Sequence, residues 1–199
     1  YMDKIPILYI NLNQREDRNK QLIDELKKYN LHENIERVEA IKHPNGYIGC
    51  VLSHIICLNI AIKKELEQVI ILEDDFIFLR SPDILDLNLD YDIFLLGGTI
   101  WKKEDEIYES NYYRVTDASR TEGYIIKKHY YLTLRNHWIE SVSKLLMKHE
   151  NNYCLDIYWK LLQKKDKFYM NKFGLIGGQR PGYSDIKNTK MTRPNNKVK

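Results

Sequence analysis

Apolar residues fall along this chain in two rhythms. Short runs of consecutive apolar residues mark buried strands, and longer stretches with apolar positions three and four apart mark helices. Residues 5–10 (IPILYI) read as a first strand, 35–40 (IERVEA) as a second and 69–72 (VIIL) as a third. Residues 91–96 (YDIFLL) read as a fourth, stopped by Gly97-Gly98. A helix is predicted over 16–29, with Leu22, Ile23 and Leu26 on its inner face. A second is predicted over 50–66, where Val51, Leu52, Ile55, Ile56, Leu58, Ile60 and Ala61 leave little polar surface. Residues 46–49 read as a turn before it. Residues 99–119 carry a poor periodic signal and read as a loop or short hairpin. A short strand is expected at 123–126, helices at 129–135, 139–149 and 155–165, and a last strand at 168–170. Residues 188–199 form a basic, polar tail expected to fray.

Strands separated by helices predict βα units, hence an α/β chain with a mostly parallel central sheet flanked by helices. In such sheets ligands bind beyond the carboxyl ends of the strands. That rule puts Asn11 and the triplet Glu73-Asp74-Asp75 on one rim. At 199 residues the chain suits one domain with a substantial core, assigned to 1–187. A net charge of +3 is too small to argue for nucleic acid. No leader pattern and no apolar run of membrane length are read, so a cytoplasmic chain without a membrane span is expected. Cys50 and Cys57, seven apart on a predicted helix, read as core residues. With Cys154 they make an odd set without a CxxC, so no zinc site is expected. Neither GxGxxG after the first strand nor GxxxxGK[ST] is present, which removes the markers of dinucleotide and P-loop sites.

The chemistry concentrates at the end of the third strand. Three consecutive carboxylates repel one another and are costly to bury. A divalent cation relieves this, held by carboxylate oxygens with substrate phosphates as further ligands. A solvated acidic turn is the alternative. In INLNQREDR (10–18), Arg15 and Arg18 flank a helix start, where backbone amides favour anions and an Arg forks phosphate oxygens; helix-end salt bridging is the competing reading. GYIGCVLSH (46–54) places Ser53 and His54 at the start of the second helix. QRPGYSDI (179–186) mixes turn, polar and aromatic residues as ligand-covering loops do, with Gly177, Gly178 and Gly182 as hinges.

Taken in order, these motifs resemble glycosyltransferase family 25, which includes bacterial lipooligosaccharide galactosyltransferases and collagen β-galactosyltransferases. VIILEDD, the strand end at 92–98, TEGYII (121–126), Cys154-Leu155-Asp156 and QRPGYSDI complete the resemblance, which covers roughly residues 5 to 187. It implies a single GT-A, Rossmann-like nucleotide-sugar-binding domain, a UDP-sugar donor and Mn²⁺ or Mg²⁺. It assigns Asp75 and Glu73 to the metal, with Glu73 and Asp74 also on the nucleotide-sugar. Asn11, Leu12, Arg15, Arg18, Ala40, Ser53 and His54 complete the donor pocket. The chain has no His after His149, so Asp185, Gln179 or water stands in as the late metal ligand. The family resembles inverting transferases, and Asp156 is assigned as the base that deprotonates an acceptor hydroxyl; its competing role is a helix cap. Asp92 reads as structural. The expected product is a galactosylated or glucosylated protein, such as collagen-like hydroxylysine, or glycan. Two other readings stand beside it: a nucleotide-sugar-binding module without catalysis, and a metal-dependent phosphohydrolase, which lacks an evident nucleophile.

Overall fold

The computed structural model describes residues 2–85, 87–104, 111–148, 150–186 and 189–191. Its centre is an eight-stranded sheet of β1 (Ile7–Asn11), β2 (Ile35–Glu39), β3 (Gln68–Glu73), β5 (Ile93–Leu95), β6 (Thr99–Glu104), β7 (Tyr112–Ser119), β8 (Gly123–Lys127) and β9 (Phe168–Asn171). Strand order is β2-β1-β3-β8-β5-β9-β7-β6. Strands β2, β1, β3, β5 and β9 share one direction. The departures from a parallel sheet are β8, inserted against that direction, and the antiparallel pair β6–β7 at the far edge.

Alternation along the strands builds two cores. Leu8, Ile10, Val69 and Ile71 face α2 (Gly46–Lys63) and α3 (Tyr131–Lys148), around the buried rings of Trp138 and Trp159. Ile7, Tyr9, Ile70 and Leu72 face α1 (Glu16–Lys27), through Leu22 and Leu26. The period of two carries directly into function: Glu73 falls on the face of Val69 and Ile71, and so points toward α2.

Several boundaries differ from the sequence expectation. Helix α2 begins at Gly46 because Asn45 caps it, its side chain accepting from Tyr47 N at 3.0 Å. The expected turn at 46–49 is therefore helical, and Ser53 and His54 lie beyond the first turn. Residues 131–148 form one helix in place of two, because Leu134, Trp138, Ser141 and Leu145 make an unbroken buried stripe and Asn136 faces solvent. The weak signal at 99–119 hides two strands. Buried positions on β7 come at Tyr112, Val115 and Ala118, three apart, and the β6–β7 register shifts at Ile100/Lys102. The expected helix at 155–165 is two short turns, α4 (Leu155–Tyr158) and α5 (Lys160–Gln163).

Helix α2 is long and apolar enough to cross a bilayer, which the expectation of no such run missed; half of it is buried against the rest of the fold. The tail expected from residue 188 lies outside the described residues except for 189–191, which form a strand.

Candidate active site

The carboxyl ends of β1, β3 and β5 and the amino end of β8 meet on one rim. A cleft of about 510 Å³ opens there, within the size range of small-molecule sites. Leu12, Arg18, Ala40, Ser53, His54 and the triplet line it, as the sequence had grouped them. A smaller cavity of about 110 Å³ adjoins it, with Cys50, Glu73 and Gln179 shared between the two. Asp156 and Glu122 line this second cavity.

The three carboxylates sit in different surroundings. Thr121 Oγ1 donates to Glu73 Oε1 at 2.7 Å, and His54 Nε2 lies 3.5 Å from the same oxygen. Burial pushes Glu73 up, but the His54 and Thr121 contacts outweigh it and hold the carboxyl below its usual range. Asp74 accepts from Asn11 Nδ2 at 2.8 Å and from Arg18 Nη1 at 2.9 Å. Asp75 accepts from Gln179 Nε2 at 2.9 Å through Oδ2, whereas its buried Oδ1 has no partner among the described residues. Burial, with repulsion from Glu73, pushes the Asp75 carboxyl up to about 7.

That orphaned oxygen tests the fit of a cation. A carboxylate taken out of water without a partner is costly, and a divalent ion satisfies it with the ligand type that hard cations prefer. Asp75 and Glu73 therefore fit the group. A second cluster, Cys50, His54 and Glu73, holds its donor atoms within 4.8 Å of one another. His54 Nδ1 pairs with Tyr124 Oη at 3.0 Å, while its buried Nε2, 3.5 Å from Glu73 Oε1, makes no hydrogen bond among the described residues.

Asn11 is wholly buried beneath the cleft, locked by Asp74, the Arg15 carbonyl and Arg37 Nε. Ser53 Oγ donates to Gly49 O and accepts from Ile41 N, tying α2 to the chain after β2. Arg15 binds Asp17 and Asp185. Arg18 also reaches toward Asp185, at 3.8 Å, and donates to the Tyr183 carbonyl. Asp185 thus stands on the two arginines assigned to phosphate. Asp156 occupies the second position of α4, whose N-cap position is Cys154; its Oδ2 accepts from Arg120 N at 3.1 Å. Asp92 accepts from Lys167 N and pairs with His129, as a structural residue does.

The late segment is more ordered than a hinge loop. β10 (Gly177–Gln179) pairs antiparallel with β4 (Phe76–Phe78), directly after the triplet, and β11 (Gly182–Ser184) pairs with β12 (Thr189–Met191). Gly177 serves packing in place of motion: a Cβ there would lie 2.1 Å from the Phe76 ring. Gln179 is carried by this pairing to Asp75, and Arg180 N donates to the Asp75 carbonyl at 2.6 Å.

Cys50, read from the sequence as a core residue, packs against the core and also lines both cavities, and sequence reasoning missed the pair Arg120 and Glu122. Glu122 is 2% exposed and burial pushes its carboxyl up to about 8. The available signal was a carboxylate abutting the apolar strand GYII, the mirror image of VIIL-Glu73.

The fold is an α/β sheet with its cleft at the strand ends, and sequence comparison adds a match over part of the chain. Residues 43–106 match the model of glycosyltransferase family 25, described as an LPS biosynthesis protein. That stretch holds the α2 motif and the acidic triplet, and over it the chain is similar to family 25. No curated protein matches it in sequence. Among solved structures, a protein from STIV is 14% identical, with a TM-score of 0.51 over 98% of each chain, a likeness of fold. A glycosyltransferase involved in glycosylation of the PBCV-1 major capsid is 11% identical, with a TM-score of 0.49 over 84% of this chain and 91% of that one. The galactosyltransferase LgtC, solved with donor and acceptor sugar analogs, is 11% identical, with a TM-score of 0.43 over 82% of this chain and 73% of that one.

Proposed function

We propose that this protein transfers a hexose from a UDP-sugar to a hydroxyl of a glycan or protein, with inversion, using a divalent cation. The observation that carries the reading is the orphaned, buried Asp75 Oδ1 in a cleft that also presents Arg18 and adjoins Asp156. Asp75 and Glu73 would hold the cation, which supplies charge neutralisation for the departing diphosphate. Arg18, released from Asp185, adds hydrogen bonds to phosphate oxygens and stabilises the same developing charge. Asp156 accepts the proton of the acceptor hydroxyl as that oxygen attacks the sugar carbon from the side opposite UDP. Its carboxylate is aimed by Arg120 N, so it needs no reorganisation to act. Gln179 and Asp75 tie the late segment to the triplet, which keeps water from the donor.

A binding module without catalysis is the second reading. It is favoured by Gln179, whose amide nitrogen, and not its oxygen, faces Asp75. Thermal shift with UDP, ADP and GDP, each with and without Mn²⁺, tests the shared part of both readings, because binding to the native state raises its stability. UDP with Mn²⁺ should give the largest shift; equal shifts from all three nucleotides would remove the uridine assignment. Release of UDP from UDP-galactose or UDP-glucose then separates a transferase from a module.

A further inference from the structure

The smaller cavity is lined by polar atoms that the fold leaves unsatisfied. Both carboxyl oxygens of Glu122 and Nη1 of Arg120 are buried without a hydrogen-bond partner among the described residues. Buried polar groups left unpaired in this way are costly to the fold. A structural role does not account for Glu122, since an apolar residue would fill the same space without that cost. The backbone nevertheless goes to some length to place it. Gly97 makes the room: a Cβ at that position would lie 2.8 Å from Glu122 Cγ and 3.1 Å from Oε1. Arg120 is held at φ 74, in the left-handed region that a residue with a side chain seldom enters. Glu73 N donates to the Glu122 carbonyl at 2.9 Å, which fixes Glu122 beside the acidic triplet.

We propose that Glu122, with Arg120 beside it, binds the hydroxyl groups of the transferred hexose and sets which hexose is accepted. This rests on the UDP-sugar reading above. The location favours the donor sugar over the acceptor. Glu122 adjoins Glu73 on the diphosphate side, and Asp156, assigned to the acceptor hydroxyl, lines the same cavity. A carboxyl group offers acceptor oxygens, and one O–H donor when protonated; a guanidinium offers donors only. Together they complement adjacent sugar hydroxyls, each of which both donates and accepts. Sites that hydrogen-bond a substrate hydroxyl discriminate strongly, because the wrong sugar leaves the buried groups unpaired again.

The test is calorimetric titration of UDP, UDP-galactose and UDP-glucose, with Mn²⁺, into the wild type, Glu122→Gln and Glu122→Ala. UDP affinity should be the same in all three proteins. Glu122→Ala should lose affinity for the preferred UDP-hexose by about tenfold. Glu122→Gln, which keeps a donor and an acceptor, should lose less and shift the ratio between the two hexoses. Melting curves check folding, and both variants should melt at or above the wild-type temperature because an orphaned buried carboxyl is removed. Unchanged UDP-hexose affinity in Glu122→Ala would overturn the assignment, and so would an equal loss for UDP and UDP-hexose. If the wild type binds no UDP, the donor reading itself fails and takes the assignment with it. Normal UDP binding with unaltered hexose affinity removes the Glu122 role alone.

Discussion

Asp75→Asn offers the sharpest quantitative check, because it separates the folding cost of the acidic cluster from its use. The Asp75 carboxyl is raised from 3.8 to about 7 in the metal-free fold. A shift of about three pKa units corresponds to ~4 kcal/mol lost by the folded state when the group is ionised. The sign follows from the folded pKa lying above the unfolded one. The folded protein holds the proton more tightly, so the penalty is absent below the unfolded pKa, grows as pH rises, and is complete above the folded pKa. Asparagine abolishes the charge but keeps an orphaned polar atom at the position of Oδ1, which returns about 1–3 kcal/mol of cost. The net gain at about pH 8 is then ~2 kcal/mol, or roughly 4–8 °C in Tm for a chain of this size. At about pH 4 the charge penalty is nearly absent and the cost of the orphaned atom remains, so the variant should be less stable than the wild type by about 1–3 kcal/mol. The assay is thermal unfolding of both proteins in EDTA at the two pH values, followed by UDP titration with Mn²⁺ at the higher one. The variant should be more stable at high pH only, and should lose the Mn²⁺-dependent part of UDP binding. A variant less stable than the wild type at the higher pH in EDTA, or one that keeps full Mn²⁺-dependent binding, would refute the assignment of Asp75 as the charge-strained cation ligand.

Other expected outcomes follow from the same geometry. Arg18→Ala removes a guanidinium that contacts Asp74, Asp75 and Asp185; UDP affinity measured by calorimetry should fall by about tenfold or more, the worth of a charge-assisted hydrogen bond. Asp156→Asn should lower turnover by about a hundredfold or more with donor affinity little changed, as steady-state kinetics beside UDP titration would show. A loss of folding would instead mark Asp156 as the anchor of Arg120. Gly177→Ala places a methyl 2.1 Å from the Phe76 ring; chemical unfolding should show a destabilisation of about 1–3 kcal/mol, as overpacking does.

The sequence made the central features legible where one periodicity governed. VIIL followed by three acids could be placed on a strand end, and the period of two put Glu73 on the helix-facing side. Arg15, Arg18, Ala40, Ser53 and His54 could be gathered around that end by the resemblance and the rim rule. What escaped reading depended on contacts distant in sequence. Phe76–Phe78 is a strand only because Gly177–Gln179 lies against it, and β7 hides its period behind a shifted register. Glu122 passed as one letter of a motif, since nothing local reveals that Gly97 clears space for it. Asp185 could be assigned near the phosphate end, but not its pairing with Arg15, which joins residues 170 positions apart.

That pairing has a consequence for how a ligand arrives. Arg15 and Arg18 do not wait as bare cations; Asp185 already sits between them. On the function proposed above, a diphosphate would enter by exchange, one anion for another, and the local charge would change less than two free arginines would imply. Binding of this kind is weakly responsive to salt, and it turns away single small anions, which gain too little to evict a tethered carboxylate whose effective concentration never falls. An evicted Asp185 would carry its short strand with it, so a bound nucleotide would be written into the position of the late segment.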